Sequence, residues 1–261
     1  MKKIIVIKIG GSILDHKDAR KQFYKDLKHM IKLGYWPIIV HGGGKQATSW
    51  LTKAGIATRF VKGLRYTDKD TLEIVEMVFS GTVNKMLVSE INRISLKACG
   101  LSGRDGMFIK ARQVKELGFV GKVQKVDFDF LKIFVKNGLI PVVSSIAVSS
   151  KGGALNVNAD EIADALASSM KAERLIFMSD IPGVLKDINH SKSLIQTIQV
   201  KNIKGLIDDN IIQGGMIPKI KSAALSILNG VKEVDIVDGR HKGVLKSCFS
   251  NKKTFGTRIK K

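Results

Sequence analysis

The chain has 261 residues, 44 of them Lys or Arg and 23 Asp or Glu, and its formal net charge is +21. A hydrophobic share of 44% is enough for a buried core, which excludes a disordered chain. The aromatic share of 6% is low for a platform that stacks nucleic-acid bases, and the basic residues are scattered without forming a tail or arm. The charge leaves nucleic acid, an acidic membrane surface and anionic small molecules open as partners.

Cysteine usage and the first residues indicate a cytoplasmic protein. Cys99 and Cys248 fit no paired metal-ligand spacing and are too few for a disulfide framework, so we interpret both as reduced thiols. The apolar stretch after the basic start is interrupted by Lys8 and runs into Gly10-Gly11 without a cleavage site, which favours a buried strand over a signal peptide. No later apolar run approaches the ~20 residues of a membrane span, so we expect no membrane partner.

Strands and helices alternate along the first part of the chain. The β-branched run Ile4 to Ile9 is typical of a strand that is covered on both faces. A helical apolar face follows from Phe23 to Ile31, with Gly34 as its C-cap, and residues 37–40 form a second buried strand. Asp68 or Thr67 then caps a long helix that we predict to about Lys97.

The second part of the chain departs from this alternation once and then resumes it. Residues 107–126 lose the helical period and predict an antiparallel excursion with Gly118 and Gly121 at its bends. Strands at 140–143, 175–178 and 233–237 alternate with two helices, one that begins near Asp160 and a later one that contains Ile220. The pattern predicts an α/β fold around a mostly parallel sheet, with at most a soft division near residue 170.

Two glycine turns follow directly after buried strands, at Gly10-Gly11 and at Gly42 to Gly44. Such turns place bare backbone N–H groups at the carboxyl edge of a sheet, where α/β folds bind their ligands. Glycine also lets the backbone approach an anion closely, and a helix that begins next adds its positive dipole end. Either turn alone could be only a tight turn, but the pair indicates an anion site.

Several common site motifs are absent or incomplete. Gly42, Gly44 and Ala47 match a dinucleotide fingerprint, yet no acidic residue ends a following strand about 20 positions later. A P-loop is excluded because Gly44-Lys45 is followed by Gln46 instead of Ser or Thr. The sequence also has no G-x-S-x-G elbow and no histidine pair with metal-ligand spacing.

Three charged residues are candidates for phosphate chemistry. Lys8 lies inside a predicted buried strand, where its charge needs an anionic partner to offset desolvation. Lys219 follows the glycine-containing segment 214–218 at the start of a predicted helix, although a lone lysine is usually a solvated surface residue. Asp160 is either an N-cap or a carboxylate that keeps two facing lysines apart and correctly aimed.

Ten short stretches, in this order, resemble the amino acid kinase family, and within it the members that phosphorylate N-acetyl-L-glutamate. They cover nearly the whole chain, and the ordered set is far more specific than any single stretch. The stretches are Lys8 to Ser12, His41 to Gly44, Gly63 to Asp68, Val83 to Lys85, Gly100 to Gly106, Gly121 to Val123, Pro141 to Val143, Asn156 to Asp160, Ser179 to Leu185 and Gly214 to Lys219.

The resemblance implies a fold, a domain plan and a reaction. The fold would be a three-layer αβα sandwich with a mostly parallel central sheet. Residues 1–170 would form a lobe for acceptor binding and dimerisation, and residues 171–261 a lobe for ATP. The reaction would transfer a phosphoryl group from ATP to the side-chain carboxylate of N-acetyl-L-glutamate, the second step of arginine biosynthesis.

The resemblance also implies site residues. Lys8 and Lys219 would neutralise the transferring phosphoryl group, and Asp160 would orient both lysines. Mg²⁺ is expected to enter with ATP, held by phosphates and water, so we name no protein ligand for a metal. The acceptor residues would be Gly43, Gly44, Arg65 and Asn156, and the Arg65 guanidinium would bind a carboxylate of the acceptor in a bidentate way. The nucleotide residues would be Gly10, Gly11, Ser179, Asp180, Gly183, Val184, Leu185, Ile211, Ile212 and Gln213.

Two departures from the family pattern carry expectations of their own. The second glycine turn is followed by Lys45-Gln46-Ala47, where the family commonly has a Pro-Gln-Ile-like sequence. The chain also begins almost on its first strand. Family members that arginine inhibits resemble each other in an extra N-terminal helix, which links their dimers into a hexameric ring. We therefore expect a homodimer that is insensitive to arginine.

Two other functions remain open. Related kinases phosphorylate aminoadipate or glutamate attached to an acidic carrier protein, and a net charge of +21 would attract such a carrier. Those enzymes resemble each other in an Asp-Gly-Asp pattern where this chain has Asn158-Ala159-Asp160, and in a basic residue where it has Pro218. A nucleic-acid partner built on a kinase scaffold is the second alternative, but the retained Lys8 and Lys219 favour an enzyme without a nucleic-acid partner.

Overall fold

A computed structural model describes residues 3–187, 190–249 and 255–261. The strands in these ranges are β1 (Lys3–Ile9), β2 (Tyr35–His41), β3 (Phe60–Val61), β4 (Leu64–Arg65), β5 (Ala98–Leu101), β6 (Ile109–Val114), β7 (Val120–Val126), β8 (Ile140–Ser144), β9 (Ile146–Val148), β10 (Ala154–Asn156), β11 (Arg174–Ser179), β12 (Thr197–Gln199), β13 (Glu233–Asp238) and β14 (Gly256–Lys260). The α-helices are α1 (Gly11–Leu14), α2 (Lys17–Lys32), α3 (Gly44–Lys53), α4 (Lys69–Glu76), α5 (Asn84–Asn92), α6 (Phe128–Lys136), α7 (Ala159–Ser169), α8 (Ile203–Asp208), α9 (Met216–Leu228) and α10 (Val244–Ser247).

The chain folds into two compact units that differ from the predicted division. The first unit contains Met1–Pro37 together with Ala167–Lys261, and the second contains Ile38–Leu166. One boundary lies close to the expected residue 170. The other arises because β1 pairs in parallel with β11, which attaches the first 37 residues to the C-terminal part of the chain.

The first unit is built on a sheet in which β1, β11 and β13 run parallel. β14 pairs antiparallel with β13 and parallel with β12. Ile5 and Ile7 on one face of β1 and Val6 on the other are fully buried, as its β-branched sequence predicts for a strand that is covered on both faces. Ile9 pairs with Met178, so the chain leaves β1 and β11 at the same carboxyl edge.

The second unit combines a parallel sheet with a small barrel. β2 pairs with β8, and β8 with β5, all in parallel, so that His41 lies opposite Ser144 at the carboxyl edge. β10, β7, β6 and β9 close into a four-stranded barrel. The antiparallel excursion predicted for residues 107–126 is confirmed as the β6–β7 pair.

Two details of the second unit correct the sequence prediction. Gly118 lies in the turn between β6 and β7 with φ +74°, as expected, but Gly121 lies inside β7 opposite Gln113 and not at a bend. A Cβ on Gly121 would come within 2.9 Å of Leu155, so close packing explains this glycine. The long helix also ends at Asn92, before the expected Lys97.

The helix that contains α4 and α5 is interrupted by a π-helical segment at Met77–Val83. Asp68 caps its start, because the Asp68 side chain accepts a hydrogen bond from Thr71 N at 2.8 Å. π-Helical turns place side chains off the regular helical pattern and are frequent at functional sites. Here the segment points Phe79 at the second glycine turn, as described below.

The predicted α/β class is confirmed, and the β1–β11, β11–β13, β2–β8 and β5–β8 pairs are parallel, as predicted for the central sheet. The sequence prediction missed the short strands β3, β4, β5, β9, β10, β12 and β14. In the described part of the chain, no helix combines the length and the apolar character that crossing a membrane requires.

Candidate active site

A cavity of about 560 Å³ opens at the carboxyl edge of the sheet in the second unit. It brings together all four predicted acceptor residues, although they are up to 113 positions apart between Gly43 and Asn156. The residues that line it are Gly42, Gly43, Gly44, Lys45, Thr48, Phe60, Gly63, Leu64, Arg65, Phe79, Val120, Ser145, Asn156, Val157, Asn158 and Ala159.

The second glycine turn forms one wall of this cavity. Gly43 packs so closely that an added Cβ would lie 3.0 Å from Phe79 and 3.1 Å from Val83. Gly44 is different, since nothing lies within 4 Å of its Cβ position. The turn therefore packs one glycine against the π-helical segment and leaves the next one open.

Two helix N-termini line the cavity. α3 begins at Gly44, and α7 begins at Ala159. The Asn158 side chain accepts a hydrogen bond from Asp160 N at 2.8 Å, so Asn158 supplies the cap that was considered for Asp160. Helix N-termini carry partial positive charge and unpaired N–H groups, and together they favour an anionic ligand.

Arg65 places a buried cation in the same cavity. The residue is 8% exposed, and burial lowers the pKa of its guanidinium. Its Nη2 donates to Gly44 O at 3.0 Å and to Thr48 Oγ1 at 2.8 Å, and its Nη1 donates to Thr58 Oγ1 at 3.3 Å. None of these partners is charged, so an anionic ligand would offset the cost of burying the guanidinium.

A two-stranded hairpin carries Arg65 to the cavity. β3 and β4 are joined by Lys62 and Gly63, whose φ angles of +49° and +80° are those of a type I′ turn. Phe60 pairs across the strands with Arg65, and its ring centroid lies 4.9 Å from the guanidinium carbon. Phe60 is 57% exposed, so the ring lies at the mouth of the cavity and covers Arg65.

A buried hydroxyl links Arg65 to Asn156. Thr67 is fully buried, and its Oγ1 donates to Arg65 O at 2.9 Å. Asn156 Nδ2 donates to the same hydroxyl oxygen at 3.0 Å. Two predicted acceptor residues from distant parts of the sequence are thus held by one threonine, which the sequence had suggested only as a helix cap.

A second buried network supports the glycine turn from behind. His41 Nδ1 donates to Gly42 O at 2.8 Å, and His41 Nε2 lies 3.0 Å from Asn84 Nδ2, which also donates to Val142 O at 2.8 Å. These contacts fix the neutral tautomer with its proton on Nδ1. Complete burial lowers the pKa of His41 to about 4, which keeps the ring uncharged at neutral pH.

The first unit contains the predicted phosphate residues of the first glycine turn. Lys8 is half-buried in β1, and its Nζ lies 3.4 Å from the position that a Cβ on Gly10 would occupy. Gly10 N donates to Met178 O at 3.0 Å, and Ser12 Oγ donates to Ser179 O at 2.8 Å. The turn is therefore held at the end of β11 by one main-chain hydrogen bond and one hydrogen bond from the Ser12 side chain.

The predicted nucleotide segment follows β11. Ser179 is 8% exposed, and its Oγ has no hydrogen-bond partner among the described residues. Asp180 is exposed, and its carbonyl accepts from Arg240 Nη2 at 2.8 Å. Gly183 has φ +127° and packs against Thr257, whose Oγ1 accepts from Val184 N at 2.8 Å. Leu185 forms an isolated bridge with Leu194.

The remaining predicted residues lie at the start of α9 and just before it. Lys219 is half-buried in the first turn of this helix, after Gly214 with φ +52°. Ile211 N and Ile212 N both donate to Leu206 O at 2.9 Å, and the Gln213 side chain donates to Asn210 O. Lys8 and Lys219 belong to the first unit, and Asp160 to the second.

Sequence reasoning missed several residues that shape the cavity. Thr48, Thr58 and Phe60 contact Arg65, but they belong to no motif and lie 5 to 17 positions from it. The only sequence signal for the hairpin is the alternation of apolar and charged residues on both sides of Lys62-Gly63. Among the described residues, no group of three or more His, Cys, Asp or Glu side chains could hold a metal ion.

Comparison with known proteins gives consistent matches over most of the chain. The sequence profile of the amino acid kinase family matches residues 3–238. An acetylglutamate kinase of Clostridium acetobutylicum is 43% identical over 247 residues, covering 92% of this chain and 84% of that protein. The acetylglutamate kinase of Brachyspira hyodysenteriae is 44% identical over 241 residues, covering 91% of this chain and 84% of that protein.

Solved structures share the fold. A Streptococcus mutans protein of known crystal structure superposes with a TM-score of 0.82 at 31% identity, covering 100% of this chain and 99% of its own. A carbamate kinase from Giardia superposes with a TM-score of 0.73 at 15% identity, with 99% of both chains covered, and shows likeness of fold alone.

Proposed function

Because this chain belongs to the amino acid kinase family and is a phosphoryl-transfer enzyme, we propose that its acceptor is the side-chain carboxylate of N-acetyl-L-glutamate. The family resemblance drawn from the motifs is confirmed. The products would be N-acetyl-L-glutamyl 5-phosphate and ADP, which places the reaction at the second step of arginine biosynthesis. The names of the curated relatives support this assignment.

One observation carries the choice of a dicarboxylate acceptor. Arg65 is buried in the cavity with only neutral hydrogen-bond partners, and two helix N-termini line the same space. One carboxylate of the acceptor would pair with Arg65, and the reacting carboxylate would lie at the amides of Gly43 and Gly44. Asn156 would hold the acetamido group.

The chemical step itself asks for little covalent participation by the protein. A carboxylate oxygen forms a bond to the γ-phosphorus of ATP, the bond from that phosphorus to the β–γ bridging oxygen breaks, and the electron pair leaves with ADP. Within this proposal Lys8 and Lys219 neutralise the transferring group, Asp160 orients both lysines, and the amides of Gly10 and Gly11 hold the phosphates.

The nucleotide belongs, in this proposal, to the first unit and the acceptor to the second. ATP enters as its Mg²⁺ complex, and the metal is held by phosphates and water. Adenine and ribose lie along Asp180, Gly183, Val184 and Leu185 and the segment Ile211–Gln213, and the Ser179 hydroxyl is available to the nucleotide. The proposal also includes a cytoplasmic homodimer.

Trapping of the acyl phosphate tests the assignment. The chain is incubated with Mg²⁺-ATP and hydroxylamine, and hydroxamate and ADP are measured for N-acetylglutamate, glutamate, N-acetylaspartate and aspartate. We expect equal amounts of hydroxamate and ADP with N-acetylglutamate and little with the others. Phosphorylation of glutamate or aminoadipate only when attached to an acidic carrier protein, which the net charge of +21 favours, would overturn the proposal.

A further inference from the structure

Three groups at the base of the cavity form a closed triangle of hydrogen bonds. Arg65 Nη2 donates to Gly44 O at 3.0 Å and to Thr48 Oγ1 at 2.8 Å. Thr48 Oγ1 in turn donates its single hydrogen to Gly44 O at 2.9 Å. Gly44 O and Thr48 Oγ1 lie close to each other and therefore occupy the same side of Nη2, and the hydrogen of the threonine hydroxyl is used within the protein.

This triangle occupies one of the positions in which Arg65 could bind a carboxylate in a bidentate way. A guanidinium forks a carboxylate through Nη1 and Nη2 or through Nε and Nη2, so each fork needs a hydrogen of Nη2. Because the two internal partners occupy one side of Nη2, a carboxylate that forks the guanidinium on that side has to take the place of one of them.

The two internal partners are not equally able to give way. Gly44 O belongs to the first turn of α3, and moving it would unwind the start of that helix. The Thr48 hydroxyl moves by rotation about χ1, for which threonine in a helix has two accessible rotamers. Thr48 is half-buried and lines the cavity, so its hydroxyl already lies beside the space that a ligand would fill.

We propose that Thr48 is an acceptor-binding residue, whose hydroxyl occupies the carboxylate position on Arg65 in the free protein and turns to donate its hydrogen to the acceptor's non-reacting carboxylate on binding. The hydroxyl satisfies the buried guanidinium when the cavity is empty and adds a donor when it is filled. This inference rests on the proposed function and deepens it by naming a specificity residue for the acceptor.

The same helix supplies a matched control. Thr52 Oγ1 donates to Thr48 O at 3.0 Å, the same side-chain contact to the residue four positions earlier that Thr48 makes with Gly44. Thr52 is exposed and does not line the cavity. A general effect of threonine on α3 would appear in both positions, whereas an effect on the acceptor should appear only at Thr48.

The experiment compares Thr48→Val, Thr48→Ser and Thr52→Val with the unmodified chain. Binding of N-acetylglutamate is measured by calorimetry, and ADP release gives kcat and the KM values for acceptor and ATP. For Thr48→Val we expect Kd and KM for the acceptor to rise about tenfold, the size of one hydrogen bond to a charged group, with kcat within about threefold. The KM for ATP should stay unchanged, and Thr48→Ser should restore the acceptor KM.

The outcomes separate the inference from the function on which it rests. Equal acceptor Kd and KM in Thr48→Val and the unmodified chain would overturn the inference alone, as would an equal rise in Thr52→Val. A lower acceptor Kd in Thr48→Val would also overturn it, because the hydroxyl would then be only a competitor for Arg65. No binding of N-acetylglutamate to the unmodified chain would remove the inference together with the proposed function.

Discussion

The two glycine turns follow equivalent buried strands but are held in different ways. Gly10 is pinned through its backbone N–H to Met178 O and lies near the amine of Lys8. The turn at Gly42 to Gly44 is held by side chains, with His41 behind it, Phe79 against it and Arg65 bonded to Gly44 O. The first turn contacts β11 through Gly10 N and the Ser12 hydroxyl, and the second forms the wall of a cavity with buried polar groups.

The difference fits the ligand that each turn would bind in the proposed function. Backbone amides suit phosphates, which present many equivalent oxygens and need charge more than shape. A small acceptor has to be distinguished from similar molecules, and buried hydrogen-bonding side chains provide that discrimination because a wrong ligand leaves them unpaired. Changes at the first turn should therefore lower kcat, and changes in the cavity should raise the KM for the acceptor.

The largest effect is expected at Lys8. We predict that Lys8→Ala lowers kcat at least ~100-fold, as loss of one electrostatic donor typically does, while the KM for the acceptor changes little. Lys3→Ala, on the exposed start of the same strand, should leave kcat near its original value. Steady-state kinetics with circular dichroism as a folding control makes the comparison, and near-normal turnover in Lys8→Ala would refute its role.

Arg65 should show the opposite pattern. Arg65→Lys keeps the charge but loses the planar donor set that bonds Gly44 and Thr48, so we predict a rise of about 50-fold in the acceptor KM with a much smaller change in kcat. Arg59→Lys serves as the control, because Arg59 stacks on Tyr66 at 4.0 Å and does not line the cavity. An unchanged acceptor KM in Arg65→Lys would separate this residue from the acceptor.

The pH dependence of stability tests the network behind the second turn. His41 has a pKa of about 4 in the folded chain because burial disfavours its charged form. The unfolded ring binds protons below about pH 6.5, so the free energy of unfolding should fall as the pH is lowered, by about 2 kcal/mol at pH 5 from this residue. The loss is complete only below pH 4.

The variant His41→Asn isolates this contribution. Asp26 and Glu161, whose pKa values burial raises, contribute equally to both proteins and cancel in the difference. Denaturant unfolding at pH 7 and pH 5 should therefore show a smaller decrease in the variant by about 2 kcal/mol. Parallel pH profiles for the two proteins would mean that the ring titrates normally in the folded chain.

The smallest effect is expected at Thr67, which joins Arg65 O to Asn156 Nδ2. Thr67→Val removes the shared hydroxyl without changing the volume much, and we predict a rise of about fivefold in the acceptor KM. Thr67→Ser should restore it, since the hydroxyl remains. If the valine variant lost only stability and kept its acceptor KM, the link between the two residues would be structural alone.

The strands and glycine turns could be predicted because they depend on local patterns. The run that forms β1 and the glycines after β2 are visible as apolar periodicity and composition. The π-helical segment at Met77–Val83 could not be predicted in this way, because its sequence continues an ordinary helical pattern, and its contact with Gly43 joins residues far apart in the chain. The prediction that Gly121 lies at a bend was wrong because close packing and a bend both require glycine, and the sequence does not distinguish them.

Only the site residues that belong to recognisable motifs could be predicted from the sequence. Arg65 and Asn156 came from a family resemblance, and the structure brings them into one cavity. Thr48 belongs to no motif, and Thr67 was predicted only as a helix cap, because a threonine hydroxyl becomes a site residue only through the groups that folding places beside it. The sequence likewise could not show which hydrogens of Arg65 are bonded within the protein, and the expected bidentate contact with a carboxylate depends on them.

A crystal structure of the chain with N-acetyl-L-glutamate tests the central claim most directly. The account predicts the acceptor in the cavity of the second unit, with one carboxylate hydrogen-bonded to Arg65 and the other at the amides of Gly43 and Gly44. An acceptor bound elsewhere, with Arg65 still bonded to Gly44 O and Thr48 Oγ1 and no ligand beside it, would contradict the account.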